Sequence, residues 1–309
     1  MKVGLADRIL EVVEAAAGEV RAYEPMAPRL TVRAGGEAEV FFRPRKVDAL
    51  VNALKVASEE NAAITIIGGG ANTLVGDYGI AGLTITLPTD FLPETIEKDE
   101  AGATVTLCAG SAINRLTVVM KKHGLIGAEF LAGIPGTLGG AVTMNAGTKN
   151  GECMSIVDAI EVATADGIGW LAREKTPYRY RHTDLPERAV VTRVRFKVPF
   201  GDLKVSQAKI DADLSYRKRT QPLSQPNFGS VFKNPEGNHA GRLIEEAGLK
   251  GFTIGMAQIS TLHANWIVNL GGASSGEIVR LMETAQKRVF EKSGVELQPE
   301  VKRVGRFAP

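Results

Sequence analysis

Apolar residues recur with a helical period between positions 46 and 61. Val47, Leu50, Val51, Leu54 and Ala57 fall at i, i+3, i+4 and i+7, which predicts an amphipathic helix. The β-prone run Ile64-Thr65-Ile66-Ile67 follows and predicts a strand that ends in three consecutive glycines. Alternation over 82–87 and 103–107 predicts two further strands. Residues 113–123 return to a helical spacing that stops at Gly124, with His123 in the capping turn. Positions 127–151 are dense in glycine and lack a period, so they predict a loop system and no regular element. Strands resume at 156–163 and 168–171, joined as a hairpin around Asp166-Gly167, and again at 189–198. Helical patches at 203–219, 240–247 and 276–292 come next, with a strand at 264–270. Ser274-Ser275-Gly276-Glu277 fits a capping box for the last helix.

The texture changes near Pro199-Phe200-Gly201, the best place for a domain cut. Strands do not alternate regularly with helices, so the class is α+β and not a doubly wound sheet. The 309 residues are enough for two or three cores. A hydrophobic share of 44% with 23% charged residues is that of a soluble globular protein. The formal charge of +2 gives no polyelectrolyte case for nucleic acid as a partner. Cys108 and Cys153, the only cysteines, have no C-x-x-C spacing and read as free thiols of a cytoplasmic protein. The start, Met1 to Arg8, has charges where a signal peptide needs an apolar run, and no stretch is long enough to span a membrane. The histidines at 123, 182, 239 and 263 have no ligand spacing, so no metal is expected.

Two glycine-rich loops carry the candidate chemistry. Gly68-Gly69-Gly70-Ala71-Asn72-Thr73 lacks the third glycine of a G-x-G-x-x-G fingerprint, and no helical period follows it. It reads either as a tight turn or as a row of backbone amides for an anion. The second loop includes Gly133-Ile134-Pro135-Gly136-Thr137-Leu138-Gly139-Gly140-Ala141 and reaches Met144-Asn145-Ala146-Gly147. Loops of this length in compact domains are usually functional. A flexible surface loop would have to expose Ile134, Leu138, Val142 and Met144, which fits poorly.

These loops, with Thr31-Val32-Arg33-Ala34-Gly35-Gly36 before them, resemble the UDP-N-acetylenolpyruvoylglucosamine reductases, the MurB flavoenzyme family. Later segments in family order are Tyr180-Arg181, 227–235 around Ser230, 240–245, and Pro299-Glu300-Val301. The likeness runs from about residue 29 to 305. Departures are Ala71 where the family usually has serine, Thr73 where it has leucine, and His182-Thr183 where Tyr-Arg-x-Ser is common. Tyr178-Arg179 offers a competing frame for the arginine. The short connection between Val198 and Ser230 is similar to the shorter subtype, which lacks a tyrosine-bearing loop.

The resemblance implies a two-subdomain PCMH-type FAD-binding fold (1–88 and 89–199) followed by a C-terminal α+β substrate domain (200–309). It implies FAD and NADPH as cofactors, a UDP-sugar as the small-molecule substrate, a monomer, and neither nucleic acid nor membrane as partner. The flavin would be held by Ile67, Gly68, Gly69, Gly70, Ala71, Asn72 and Thr73, and by Gly133, Ile134, Pro135, Gly136, Thr137, Gly139, Gly140, Asn145, Ala146 and Gly147. Hydride addition to an enolpyruvyl carbon leaves carbanion character beside a carboxylate, which calls for a cation and a proton. The resemblance gives these roles to Arg181, with Glu300 assisting, and to Ser230. Asn227, Lys233, Asn234 and Lys250 offer donors to a diphosphate or amide group, and Tyr180, Asn234 and Lys250 would bind substrate or nicotinamide nucleotide; Lys218, Arg219 and Gln221 are weaker candidates, and Arg242, in the first turn of its helix, could take a phosphate.

Taken singly, Arg181 in Tyr-Arg-Tyr-Arg reads as a solvated strand face, Ser230 as a strand serine and Glu300 as a surface carboxylate. Their joint occurrence in family order is what gives them roles. Another flavin oxidoreductase of the same fold, acting on an alcohol, would usually place a linking His or Cys in the flavin domain; neither glycine loop has one. A nucleotide-binding module without catalysis would not need all three residues.

Overall fold

The computed structural model describes residues 4–308, so Met1, Lys2 and Val3 of the charged N-terminal run lie outside the described residues. The chain forms two compact units. The first comprises residues up to Ala22, Val40–Gly69 and Gly82–Ser215; the second comprises Tyr23–Glu39, Gly70–Ala81 and the chain from Tyr216.

In the first unit an antiparallel sheet runs in the order Gly167–Ala172, Val157–Thr164, Val190–Pro199, Gly102–Cys108, Thr95–Lys98. The hairpin expected at Asp166-Gly167 is there, with Thr164 opposite Gly167. Val105, Leu107, Ile160, Val194 and Phe196 bury one set of positions against Leu116, Val119 and Met120 of the helix Asn114–His123. That helix ends where Gly124 turns left-handed and donates to the Met120 carbonyl. A second core gathers around the helix Val47–Glu59, where Leu50, Ala53, Leu54 and Ala57 pack with Phe42, Leu83 and Ile85. Beside it Ile64–Ile66 pairs in parallel with Leu83–Ile85. No helix among the described residues is long and apolar enough to cross a membrane.

One expectation fails here. Residues 127–151 are not free of regular structure, because Leu138–Thr143 forms a helix. Gly139 and Gly140 cost it about 1 kcal/mol each in propensity and hide its period. Burial of Leu138, Ala141 and Val142 overrides that cost, and Thr137 caps the turn by accepting from the Gly140 amide at 3.3 Å.

The second unit holds an antiparallel sheet in the order Asn227–Ser230, Trp266–Asn269, Ala257–Ile259, Thr253–Ile254, with the helix Ser275–Ser293 packed on it. The expected capping box is formed: Ser274 Oγ accepts from the Glu277 amide at 3.1 Å, and Glu277 Oε2 accepts from the Ser274 amide at 3.0 Å. Asp77 adds two acceptors, taking the Ser275 and Gly276 amides at 2.8 Å each. Thr73–Val75 pairs in parallel with Lys302–Val304.

His263 in this unit accepts from the Asn265 amide at 3.2 Å through Nδ1, a role that needs that nitrogen unprotonated. Burial lowers its pKa first and Lys250 second, with Glu245 opposing. Unfolding therefore takes up a proton between the lowered value and the ordinary 6.5. The stability from this site is complete above that ordinary value and is lost as pH falls through the lowered one. The Tm of the wild type is expected to drop across this window more steeply than that of His263→Asn. Parallel Tm–pH curves would show that His263 does not couple to folding.

Candidate active site

The two glycine loops meet at their backbones within the first unit. A Cβ on Gly69 would lie 2.8 Å from the Gly136 Cα, and one on Gly68 would run into Thr137 Oγ1. Real Cβ atoms do not tolerate such distances from backbone, so glycine here is a requirement of close approach. Gly69→Ala is expected to leave protein that purifies with less than about half its FAD, read from the visible-to-280 nm absorbance ratio. Full flavin occupancy would show that the loop can yield.

The loop offers donors. Among the described residues, none of the amides of Gly68, Gly69, Gly70, Ala71 and Asn72 donates to another part of the chain. Gly68 and Gly69 are exposed, Ala71 and Asn72 half-buried and Gly70 buried, so the loop presents a short row of amides with the donor chemistry an anionic diphosphate calls for, with no serine needed at position 71. Ile67, in contrast, is committed to the protein. It is buried, donates to Ile85 O at 2.9 Å and accepts from Thr86 Oγ1 at 2.8 Å, so it forms the rigid base of the loop.

In the second loop several expected contact residues serve the scaffold. Asn145 is fully buried, with its amide nitrogen donating to Glu152 at 2.9 Å and to the Arg179 carbonyl at 3.2 Å. Its Oδ1 accepts from the Met154 amide at 3.0 Å. The Ala146 amide donates to Ala141 O, the Gly139 amide to Ala109 O and the Ile134 amide to Leu131 O. Gly133, Pro135, Gly136 and Gly140 lie on the exposed or half-buried side of the same loop.

The two arginine frames separate sharply. Arg179 sits in the short strand Tyr178–Arg179, is 66% exposed, and pairs with Asp184 at 3.2 Å. The Asp184 carboxyl is held below its usual range by a hydrogen bond from His182 and then by Arg179. Arg181 occupies the hairpin turn in a left-handed conformation (φ +58°), which costs a non-glycine residue about 1–2 kcal/mol. Its guanidinium donates to the Gly147 carbonyl at 3.0 Å and stacks 4.7 Å from the Tyr180 ring centroid. A strained residue tied to the second glycine loop is the stronger candidate of the two frames.

The second unit assembles residues far apart in sequence. The Thr31 hydroxyl donates to Asn227 O at 2.6 Å and also lies 3.2 Å from Gly70 O, joining the first glycine loop to the strand of Ser230. Asn72 donates through Nδ2 to the Glu300 carbonyl at 3.2 Å, and its own carbonyl accepts from the Lys302 amide at 3.0 Å. Gly229 (φ +80°) interrupts the strand register just before Ser230, a bulge that re-aims the serine. Of the nucleotide candidates, Lys250 pairs with Glu245 at 3.0 Å, Asn234 Oδ1 accepts from the Ala240 amide at 3.1 Å, and Arg242 donates to Asn238 Oδ1 at 2.8 Å. Nothing local in the sequence marks Thr31 for this role, because its hydroxyl's partner is 196 positions away.

A family model described as the UDP-N-acetylenolpyruvoylglucosamine reductase C-terminal domain matches residues 221–304, and an FAD binding domain model matches 38–169. A UDP-N-acetylenolpyruvoylglucosamine reductase of Myxococcus xanthus is 60% identical over 99% of both chains. One from an Anaeromyxobacter species is 46% identical over 98% of this chain and 94% of its own. A crystal structure of the UDP-N-acetylenolpyruvylglucosamine reductase (MurB) of Thermus caldophilus matches with a TM-score of 0.78 at 33% identity, covering 93% of this chain and 99% of that one.

Proposed function

Because this chain belongs to the UDP-N-acetylenolpyruvoylglucosamine reductase family, we propose how its residues divide the work of that reaction. The protein is an NADPH-dependent FAD enzyme that reduces UDP-N-acetylglucosamine enolpyruvate to UDP-N-acetylmuramate in peptidoglycan precursor synthesis. Its fold is the α+β arrangement of a PCMH-type FAD-binding region followed by a C-terminal domain. Bound FAD supplies the chemistry of hydride relay from NADPH to the enolpyruvyl double bond.

The amides of residues 68–72 hold the flavin diphosphate, and the exposed positions of 133–140 line the same cofactor. The Arg181 guanidinium grips the substrate carboxylate in bidentate fashion and stabilises the charge that develops beside it. Ser230 Oγ delivers a proton to the carbon next to that carboxylate. A serine is a weak acid, so this role depends on a strongly basic acceptor held at hydrogen-bond distance. Glu300 assists at the substrate carboxylate, and Tyr180, Asn234 and Lys250 bind the nucleotide sugar. Residues 1–88 and 89–199 act as the flavin subdomains and 200–309 as the substrate domain, in a cytoplasmic monomer.

The observation that most supports this division is Arg181 itself, strained in a turn and tied to the second glycine loop. The test is the visible spectrum of purified protein under anaerobic conditions. The flavin band is expected to bleach with NADPH and return on adding UDP-N-acetylglucosamine enolpyruvate. Return with oxygen after an alcohol, and not with the enolpyruvyl ether, would move the protein to the alcohol-oxidising flavoenzymes. Light scattering tests the monomer.

A further inference from the structure

We propose that Asn265 is a positioning residue for the proton-transfer step, holding Ser230 and Glu300 in register through the two residues that join them in space. The inference rests on the role given to Ser230 above.

Asn265 is 4% exposed, although it stands in the apolar run Ala264-Asn265-Trp266-Ile267-Val268. Burying an amide side chain without partners costs several kcal/mol, so its bonds are informative. Oδ1 accepts from the Phe232 amide at 3.0 Å, and Nδ2 donates to the Phe232 carbonyl at 2.8 Å. The side chain thus takes both backbone groups of one residue, as a neighbouring strand would. Its main-chain carbonyl accepts from the Val231 amide at 2.9 Å. Three bonds from one residue therefore fix Val231 and Phe232, immediately after Ser230.

The other side of the same segment carries Glu300. The Val231 carbonyl accepts from the Glu300 amide at 2.8 Å and from the Val301 amide at 3.4 Å. Phe232 bridges Pro299, and the Lys233 amide donates to Gln298 O at 2.9 Å. Ser230 stands opposite Trp266, the residue after Asn265. Without the Asn265 side chain, Phe232 loses both of its bonds to this strand, and only the main-chain bond from the Val231 amide to the Asn265 carbonyl continues the pairing beyond Ser230. A shift of about 1 Å at a proton donor can cost on the order of 100-fold in rate. Among the described residues Asn265 itself makes no bond to the first glycine loop, which meets this segment through Asn72 and the Glu300 carbonyl, so flavin reduction by NADPH should feel its loss far less than reoxidation does.

The experiment is stopped-flow measurement of both half-reactions on FAD-loaded Asn265→Ala, Ser230→Ala and the double variant. Asn265→Ala is expected to slow reoxidation by the enolpyruvyl substrate about 10- to 100-fold, with NADPH reduction within about twofold. The double variant is expected to match Ser230→Ala within about threefold, because a residue acting through Ser230 has nothing left to position. Multiplying losses, or equal slowing of both half-reactions, would overturn the inference. If Asn265→Ala does not retain FAD, Asn265→Asp serves, since it keeps the acceptor for Phe232 N–H and replaces the donor with a carboxylate oxygen that repels the Phe232 carbonyl; normal reoxidation in that variant would also overturn it. If Ser230→Ala reoxidises normally, the proton-donor reading fails and takes this inference with it, an outcome distinct from a silent Asn265.

Discussion

Ser230→Ala is expected to slow flavin reoxidation by the enolpyruvyl substrate about 10²- to 10⁴-fold, the range for losing a positioned proton donor, while NADPH still bleaches the flavin at close to the normal rate. The asymmetry follows from the chemistry. The first half-reaction moves a hydride onto the cofactor and asks nothing of the serine. The second leaves carbanion character next to a carboxylate, and that centre must collect a proton. Ser230 is half-buried behind the bulge at Gly229, so water replaces its hydroxyl with less favourable orientation. Stopped-flow absorbance in each half-reaction reads the effect. Equal losses in both would remove Ser230 as the donor.

Arg181→Ala is expected to lower the second half-reaction about 10²- to 10³-fold, the scale for removing one preorganised charge-stabilising group. Arg179→Ala should stay within about threefold, because its pairing with Asp184 is solvent-exposed and worth little. The neutral Arg181→Gln should not restore the rate, since it can bond a carboxylate but cannot offset its charge. The reverse ranking of Arg179 and Arg181 would shift the catalytic frame by two residues. The same comparison tests the meaning of the left-handed turn. Arg181→Gly relieves the backbone cost, so its Tm should hold or rise while its activity falls.

Much of the framework was legible because its signals are local. The helix Val47–Glu59, the hairpin closing at Thr164 and Gly167, and the capping box at Ser274 each follow from a few adjacent residues. The helix Leu138–Thr143 was not legible, because two glycines in six positions carry no helical preference and only burial of Leu138 and Val142 decides the outcome. The strand Glu37–Pro44 alternates correctly at Ala38 and Val40 but continues through the fully buried Phe41 and Phe42, which blurs the period.

By itself the sequence determined the α+β class, the two glycine loops, the family likeness and the set of residues with the right chemistry, since all of these are written in residue type and spacing. Only tertiary structure decided what each of them touches. It separated Arg181 from Arg179 by a backbone angle and a bond to Gly147. It assigned the Asn145 side chain to the scaffold. It also brought Asn72, Ser230 and Glu300 onto one backbone network that Asn265 and Thr31 help to hold. Each of those outcomes depends on bonds between residues far apart along the chain, and burial makes such bonds obligatory without any local pattern announcing them.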